Sequence, residues 1–376
     1  MITLQPRQDV SWQLTMAVPI AAVFATLILG GIIFALMGYD PVSTLYEFFV
    51  KPLSRSSQIG NLLVKACPLI LIATGLIFCF RANVWNIGAE GQLIFGAIGA
   101  GGVALAFPEV ASKWLLVPMA VAAMLCGALW ALIPAVLKVR LKTNEILVSL
   151  MLSYVASLFI DWLVRGPWRD PASFGFPLTP RFPDGGLIPT LILPVIGRLG
   201  QLHWGVMGAV FIAVLGWFVM RRTLFGYQVR VLGDAPRAGA FAGFNASATT
   251  IAVMCVSGGL AGLAGMVEVS ANIGQLQPNI SFGYGFTAII VAFLARLNPL
   301  SVIIAGLVIA LAELGGDAAQ ISIGVPKVVT GVFKGILLFL LLSGETLTRY
   351  HVTLNFSGTL SGLRRTSQGQ GRADHG

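Results

Sequence analysis

NVWNIGAEGQL, residues Asn83–Leu93, is a polar interruption between two apolar stretches. Glu90, two Asn and two Gly stand where membrane-spanning chains ordinarily carry only hydrocarbon. Unpaired backbone polar groups cost several kcal/mol in lipid, so such a break persists only where protein or a water-filled cavity surrounds it. A broken helix inside a membrane bundle is one way to build a passage for a polar solute. Function is expected at this break.

Working outward, the composition fixes the class. Of 376 residues, 56% are hydrophobic and only 10% charged, and the mean hydropathy is +0.86. Soluble domains carry roughly 25% charge, so the chain reads as an integral membrane protein. The net charge of +9 is scattered over short loops. It forms no domain-sized basic face, which argues against nucleic acid and for membrane topology. Cys67, Cys79, Cys126 and Cys255 lie in apolar segments without CxxC spacing and read as buried small hydrophobes. His203, His351 and His375 are too dispersed for a metal site. The first apolar run exceeds a signal-peptide core and no small-residue cleavage site follows it, so it is expected to be a retained span.

Hydropathy gives ten spans. They are Ala17–Met37, Gly60–Phe80, Gly91–Phe107, Trp114–Leu137, Ile146–Val164, Leu202–Met220, Ala248–Val269, Gly283–Leu297, Pro299–Gly315 and Lys327–Ser343. The third, eighth and ninth fall short of the roughly 20 residues a bilayer requires, which points to tilted or discontinuous helices. The fold expected is therefore all-α: a polytopic bundle of about ten transmembrane helices with broken helices. It forms a single transmembrane domain over 1–376, with an N-terminus (1–16), a membrane bundle (17–343) and a tail (344–376).

Lys and Arg then orient the bundle. Fourteen fall on one side, among them Arg81, Lys138, Arg140, Lys142, Arg221, Arg222 and Arg230, against eight on the other, from Lys51 to Lys327. With an even number of spans this places both termini in the cytoplasm. The external loop Arg165–Gln201 carries seven prolines and reads either as a partner-docking surface or as a passive cap. The cytoplasmic segment Arg221–Asn245 is amphipathic and reads either as a basic flank with a surface helix or as a docking helix. Ala82–Ala100 and Ala271–Ile290 both place Asn, Gly and Gln in a break before a Gly-containing short helix. Because the spans before them run in opposite directions, the pair is expected to form an inverted internal repeat.

Enzyme motifs are lacking. No GxxxxGK[ST] occurs. Gly283–Ala288 fits G-x-G-x-x-A but opens a membrane helix instead of following a soluble strand, so its glycines are expected to turn backbone N–H groups toward a cavity. The ionisable residues within spans are Lys65, Asp161, Glu268, Glu313 and Lys334. Such charges are functional candidates in a membrane, against snorkelling or structural pairing as the plainer reading. Lys334 is the deepest and Glu313 is its expected partner. An acidic chain through the bundle would favour a stand-alone cation-coupled carrier, and none is present. Glu90 either orients a solute or caps the following helix. In SGGLAGLAG (Ser257–Gly265), Gly258 with Gly262 and Ala261 with Gly265 are expected to serve close helix packing.

Three motifs in order, NVWNIGAEGQLIFGAIGA, LKTNEILVSLMLSYVA (Leu141–Ala156) and VRVLGDAPRAGAFAGFNAS (Val229–Ser247), carry a family resemblance. Over about Gly60 to Ser343 the chain resembles membrane permeases of bacterial ATP-binding-cassette importers of the ribose/branched-chain amino acid class, nucleoside and simple-sugar subgroup. The GPWRDP loop (Gly166–Pro171) looks most like the nucleoside type. The resemblance implies a multi-pass inner-membrane subunit that moves a nucleoside or simple sugar by alternating access. Another small polar solute, such as an amino acid, is the alternative. It also implies a second permease (homo- or heterodimer), a periplasmic or lipoprotein solute-binding protein, and ATPase subunits. ATP and Mg would be held by the ATPase partner, with no cofactor in this chain. Gly233, Asp234, Ala238 and Gly243 match the ATPase-coupling loop, with Arg237 a further candidate for transmitting ATPase motion, while Pro236 and Gly239 depart from the pattern. Asn86, Gly88, Glu90 and Gln92 in the first break, with Asn279, Phe282 and Tyr284 in the second, are the expected passage residues.

Overall fold

The computed structural model describes residues 2–6, 12–193, 197–281 and 283–354. Arg7, Arg364, Arg365 and Arg372, counted among the fourteen cationic residues above, lie outside them. The described chain begins with strand β1 (Ile2–Pro6), helices α1 (Trp12–Leu36) and α2 (Pro41–Phe49), and the long α3 (Ser56–Arg81). Then follow α4 (Ala89–Ala106), α5 (Leu116–Leu141), α6 (Glu145–Arg165) and the hairpin β2 (Thr190–Leu193) and β3 (Gly197–His203). The second half holds α7 (Trp204–Arg222), α8 (Leu224–Asp234), α9 (Pro236–Phe241) and α10 (Ala246–Val267). It closes with α11 (Tyr284–Leu294), α12 (Ser301–Ile323), α13 (Val328–Arg349) and strand β4 (Tyr350–Leu354). β1 pairs antiparallel with β4, which brings the two ends of the described chain to one side of the bundle.

Among the described residues seven helices are long and apolar enough to cross a membrane, and shorter apolar helices run over Ile20–Leu36, Tyr284–Leu294 and Val328–Gly344. Each of the ten expected spans thus has a helix. One expectation fails in detail. The ninth span is not short, because α12 runs on through Gly315 and Gly316 to Ile323, over 23 residues. Those glycines are packing positions. A Cβ on Gly315 would lie 1.9 Å from the Phe48 carbonyl oxygen, and one on Gly316 1.9 Å from Thr330 Oγ1.

α3 is the central post, with 89% of its most apolar window buried. α10 runs antiparallel to it, Gly75 against Ser257 and Cys79 Sγ on the Val253 carbonyl at 3.3 Å. The small-residue stripe of α10 packs as expected. A Cβ on Gly262 would meet Ala123 O at 2.2 Å, and one on Gly265 would meet Leu93 O at 2.1 Å. Helix backbones therefore touch directly, the geometry that small residues permit. The outer helices leave Leu125, Leu129, Leu158 and Phe211 exposed, an apolar perimeter suited to lipid.

Local signals set the helix ends. Asn144 and Asn245 accept the backbone N–H of Ile146 and Ala248, each at 3.0 Å, as side-chain N-caps of α6 and α10. α5 closes on Lys142 in the left-handed region, φ 53°. The long proline-rich loop is a cap on α10's far end. Phe182 N–H reaches the Gly274 carbonyl at 2.8 Å and Ile188 N–H the Ser270 carbonyl at 3.0 Å.

Candidate functional site

Residues 82–88 turn the chain back into the protein between α3 and α4. Asn83 takes φ 56°, a left-handed conformation that Asn tolerates better than most residues. The turn drops Asn86 into a fully buried position. There Asn86 and Gln92 exchange amide hydrogen bonds. Asn86 Nδ2 donates to Gln92 Oε1 at 2.9 Å, and Gln92 Nε2 to Asn86 Oδ1 at 3.0 Å. Asn86 also donates to Ser257 Oγ at 3.0 Å and accepts the Gly88 N–H at 3.1 Å. Ser149 and Ser153, one turn apart on α6, accept the N–H groups of Ile87 and Gly91 at 3.2 and 3.3 Å. Side chains thus take the N–H groups of Ile87, Gly88 and Gly91 where the chain enters α4.

Glu90 reaches across to the second break. Its two carboxylate oxygens accept the backbone N–H groups of Gly283 at 3.2 Å and Gly285 at 2.6 Å. A carboxylate here both caps α11 and faces the positive end of its dipole. The helices approach so closely that a Cβ on Gly285 would lie 2.2 Å from the Glu90 nitrogen, and Gly283 itself has φ +87°. α11 is a half-length helix of 11 residues, about 16 Å long. Both expected breaks thus converge on a single contact.

Around the first turns of α11 lies a ring of ionisable groups. Lys334 on α13 donates to Glu313 on α12 at 2.5 Å and to Thr287 on α11 at 3.1 Å, which is the pairing expected for Lys334. Lys65 on α3 stands 5.7 Å from the centre of the Tyr284 ring and 3.7 Å from Asp317. Asp317 also takes Lys327 at 2.8 Å. Glu268, at the π-helical end of α10, accepts Asn272 Nδ2 at 2.8 Å. Buried charges persist only when paired and hydrogen-bonded. The Lys334–Glu313 pair meets that condition, and Glu268 is buried against the Asn272 amide. Among the described residues no cluster of metal-binding side chains occurs.

Of the expected passage residues, Asn86, Gly88 and Gln92 form one network, and Glu90 and Tyr284 lie at its junction with α11. Asn279 lies elsewhere, in an open pocket shared with Arg165, Phe176 and Gln277. Phe282 lies outside the described residues. Thr287, Asp317 and the α6 serines were missed. The four-residue spacing of Ser149, Ser153 and Ser157 was a readable signal, but Asp317 was hidden by ending the ninth span at Gly315.

The segment expected to meet the ATPase, α8 with α9, is a helix pair on the side where α3 ends. Gly233 packs under the last turn of α3, since a Cβ there would lie 1.9 Å from Arg81 O. Pro236 opens α9, where its missing N–H costs nothing, and Gly239 is buried beneath Leu232. Both departures from the pattern are therefore compatible with a helix. Asp234, Arg237 and Ala238 are exposed, Gly243 takes φ +79°, and Phe241 stands 94% exposed.

The family described as branched-chain amino acid transport system / permease component matches residues 58–342. A glucose ABC transporter permease protein of Haloferax volcanii is 33% identical over 94% of each chain. A guanosine ABC transporter permease protein of Bacillus subtilis is 27% identical over 87% of this chain and 92% of its own. A nucleoside ABC transporter permease protein of Lactococcus lactis is 27% identical over 86% and 89%.

Proposed function

The chain belongs to the branched-chain amino acid transport system / permease component family, and from that premise we propose that it carries a nucleoside or simple sugar inward across the bacterial inner membrane. It is the membrane-spanning permease component of an ABC transporter. ATP and Mg are bound by separate ATPase subunits, which dock on α8 and α9 at the cytoplasmic side with both termini. A second permease, identical or not, completes the passage, and an extracytoplasmic solute-binding protein delivers the solute. The relatives named for guanosine, nucleoside and glucose transport favour a ring-shaped polyhydroxyl solute over a branched-chain amino acid.

The observation that carries this reading is the Glu90 cap on α11. A half-length helix capped by the Glu90 carboxylate and the Ser281 hydroxyl, with Lys334, Glu313 and Thr287 beside it, is an element whose tilt exposes or covers polar groups inside the bundle. Alternating access needs such an element. Asn86, Gly88 and Gln92 hold the first break in shape, and Tyr284 supplies an aromatic surface.

Proteoliposomes containing this chain with its ATPase and solute-binding partners test the reading through ATP-dependent uptake of labelled guanosine, glucose and leucine. Accumulation of guanosine or glucose is expected. Accumulation of leucine with neither of the others overturns the assignment.

A further inference from the structure

A second polar feature lies apart from the Glu90 junction, where α3 and α7 end. Arg81, Arg221 and Arg230 line an open pocket of about 190 Å³ together with Trp217 and Asn298, and among the described residues no carboxylate lines it. Arg81 Nε donates to the Leu297 carbonyl at 3.1 Å. Arg296 and Leu297 both take left-handed conformations, φ 52° and 53°, so the turn after α11 is held in an unusual shape that offers this carbonyl. The Arg221 guanidinium lies 5.7 Å from the Trp217 ring centre, and Arg230 Nε points to the Gly226 carbonyl at 3.4 Å. An Arg carries five N–H donors in a planar fork that matches phosphate oxygens.

The surroundings discriminate between anions. Arg81 and Arg221 close apolar helices, at the level where a span meets headgroups, and Trp217 is a residue type enriched at that level. Below Arg221 on the same helical stripe, Phe218, Val214 and Phe211 are all exposed. They form an apolar track of three turns leading up to the cationic pocket. A ligand with a phosphate at one end and hydrocarbon at the other satisfies both parts.

The geometry points to a specific anionic phospholipid site: a phosphate headgroup held by Arg81, Arg221 and Arg230, with an acyl chain lying along Phe211, Val214 and Phe218. The site steadies the junction of α7 with α8, the segment that leads to the coupling helices.

The test is lipid retention by the full-length protein, measured by native mass spectrometry after exchange into detergent with phosphatidylglycerol or phosphatidylcholine. The wild type is expected to retain phosphatidylglycerol in preference. Arg221→Gln/Arg230→Gln is expected to bind it about thirtyfold more weakly, as removing two cations near an anionic headgroup requires. Arg222→Gln, next to the pocket but not lining it, should bind as the wild type does, and Phe218→Ser guards against misfolding of the double variant by weakening retention through the acyl track alone. Equal retention of both lipids, or undiminished phosphatidylglycerol binding in a folded double variant, overturns the site. Displacement of the lipid by inorganic phosphate at equal concentration overturns the lipid in favour of a free anion. A double variant that retains lipid but fails to assemble with the ATPase subunits assigns the arginines to a protein contact and likewise overturns it.

Discussion

The Glu90 carboxylate sits 2.6 Å from the backbone nitrogen of Gly285, so the first turn of α4 is the cap of α11. Two breaks far apart in sequence hold each other in place through one side chain. Glu90→Ala leaves the N–H groups of Gly283 and Gly285 without this acceptor, at about 1–3 kcal/mol for the buried one at Gly285. It should lower the unfolding temperature in detergent and reduce solute uptake while the complex still assembles. Glu90→Gln keeps one acceptor oxygen and should fall between. Uptake at the wild-type rate in Glu90→Ala would remove this residue from the passage.

Close approach at the same contact makes Gly285 more sensitive than Glu90. A methyl there would meet backbone atoms of Glu90 at 2.2 Å, and backbone cannot rotate aside. Gly285→Ala should destabilise by about 3 kcal/mol or more and lower the yield of folded protein. Gly208→Ala, with nothing within 4 Å of its added Cβ, should be neutral or slightly stabilising because Ala favours helix. Similar melting curves for the two variants would argue against direct contact of α4 with α11.

Lys334 and Glu313 form a pair whose side chains are 17% and 7% exposed. Breaking such a pair from one side leaves an uncompensated buried charge, worth about 3–5 kcal/mol. Lys334→Met alone should therefore be more harmful than Lys334→Met combined with Glu313→Gln. A thermal double-mutant cycle measures the coupling. Additive losses would show that the two groups do not depend on each other.

Much of this was readable from residue order, and the failures have physical causes. Span positions follow from hydrophobicity, which the bilayer imposes on every helix alike, and all ten expected spans contain helices. The packing role of Gly258 and Gly262 was legible because small residues at four-residue spacing have few other uses in a membrane. Gly315 and Gly316 misled, since a glycine that breaks a helix and one that admits a neighbouring backbone look the same in one dimension. The meeting of Glu90 with Gly283 and Gly285 was beyond reach as well. A contact across 195 positions depends on how α3, α4 and α10 pack, and no local pattern encodes it.

His203, the residue that caps α7, provides a pH test. Its Nδ1 accepts the Gly205 N–H at 3.1 Å as the cap of α7, which requires a neutral ring, and burial pushes its pKa down to about 4. The unfolded chain takes up this proton near pH 6.5, so it binds more protons than the folded protein between about pH 6.5 and pH 4. Stability from this residue is complete above pH 6.5 and declines as the pH falls toward 4. His203→Asn, which keeps an acceptor but does not titrate, should flatten that decline in melting curves recorded over this range. An unchanged slope would assign the acid sensitivity to other groups.

Phe241, at the end of α9, is 94% exposed, although a large aromatic side chain at a helix end ordinarily finds cover. Asp234, Arg237 and Ala238 beside it are also exposed, while Gly233 anchors the pair of helices to the end of α3. An exposed aromatic ringed by charge is the anatomy of an interface hot spot, where truncation costs about 2 kcal/mol or more. Phe241→Ala should therefore weaken binding of the ATPase subunits by at least about tenfold, measured by co-purification at graded concentrations. Arg237→Glu acts differently, since a rim charge sets registry more than affinity. It should leave the ATPase subunits bound but cut the stimulation of ATP hydrolysis by solute-loaded binding protein. If Phe241→Ala binds ATPase as the wild type does and Arg237→Glu remains fully stimulated, motion is transmitted through some other surface and α9 is not the coupling helix.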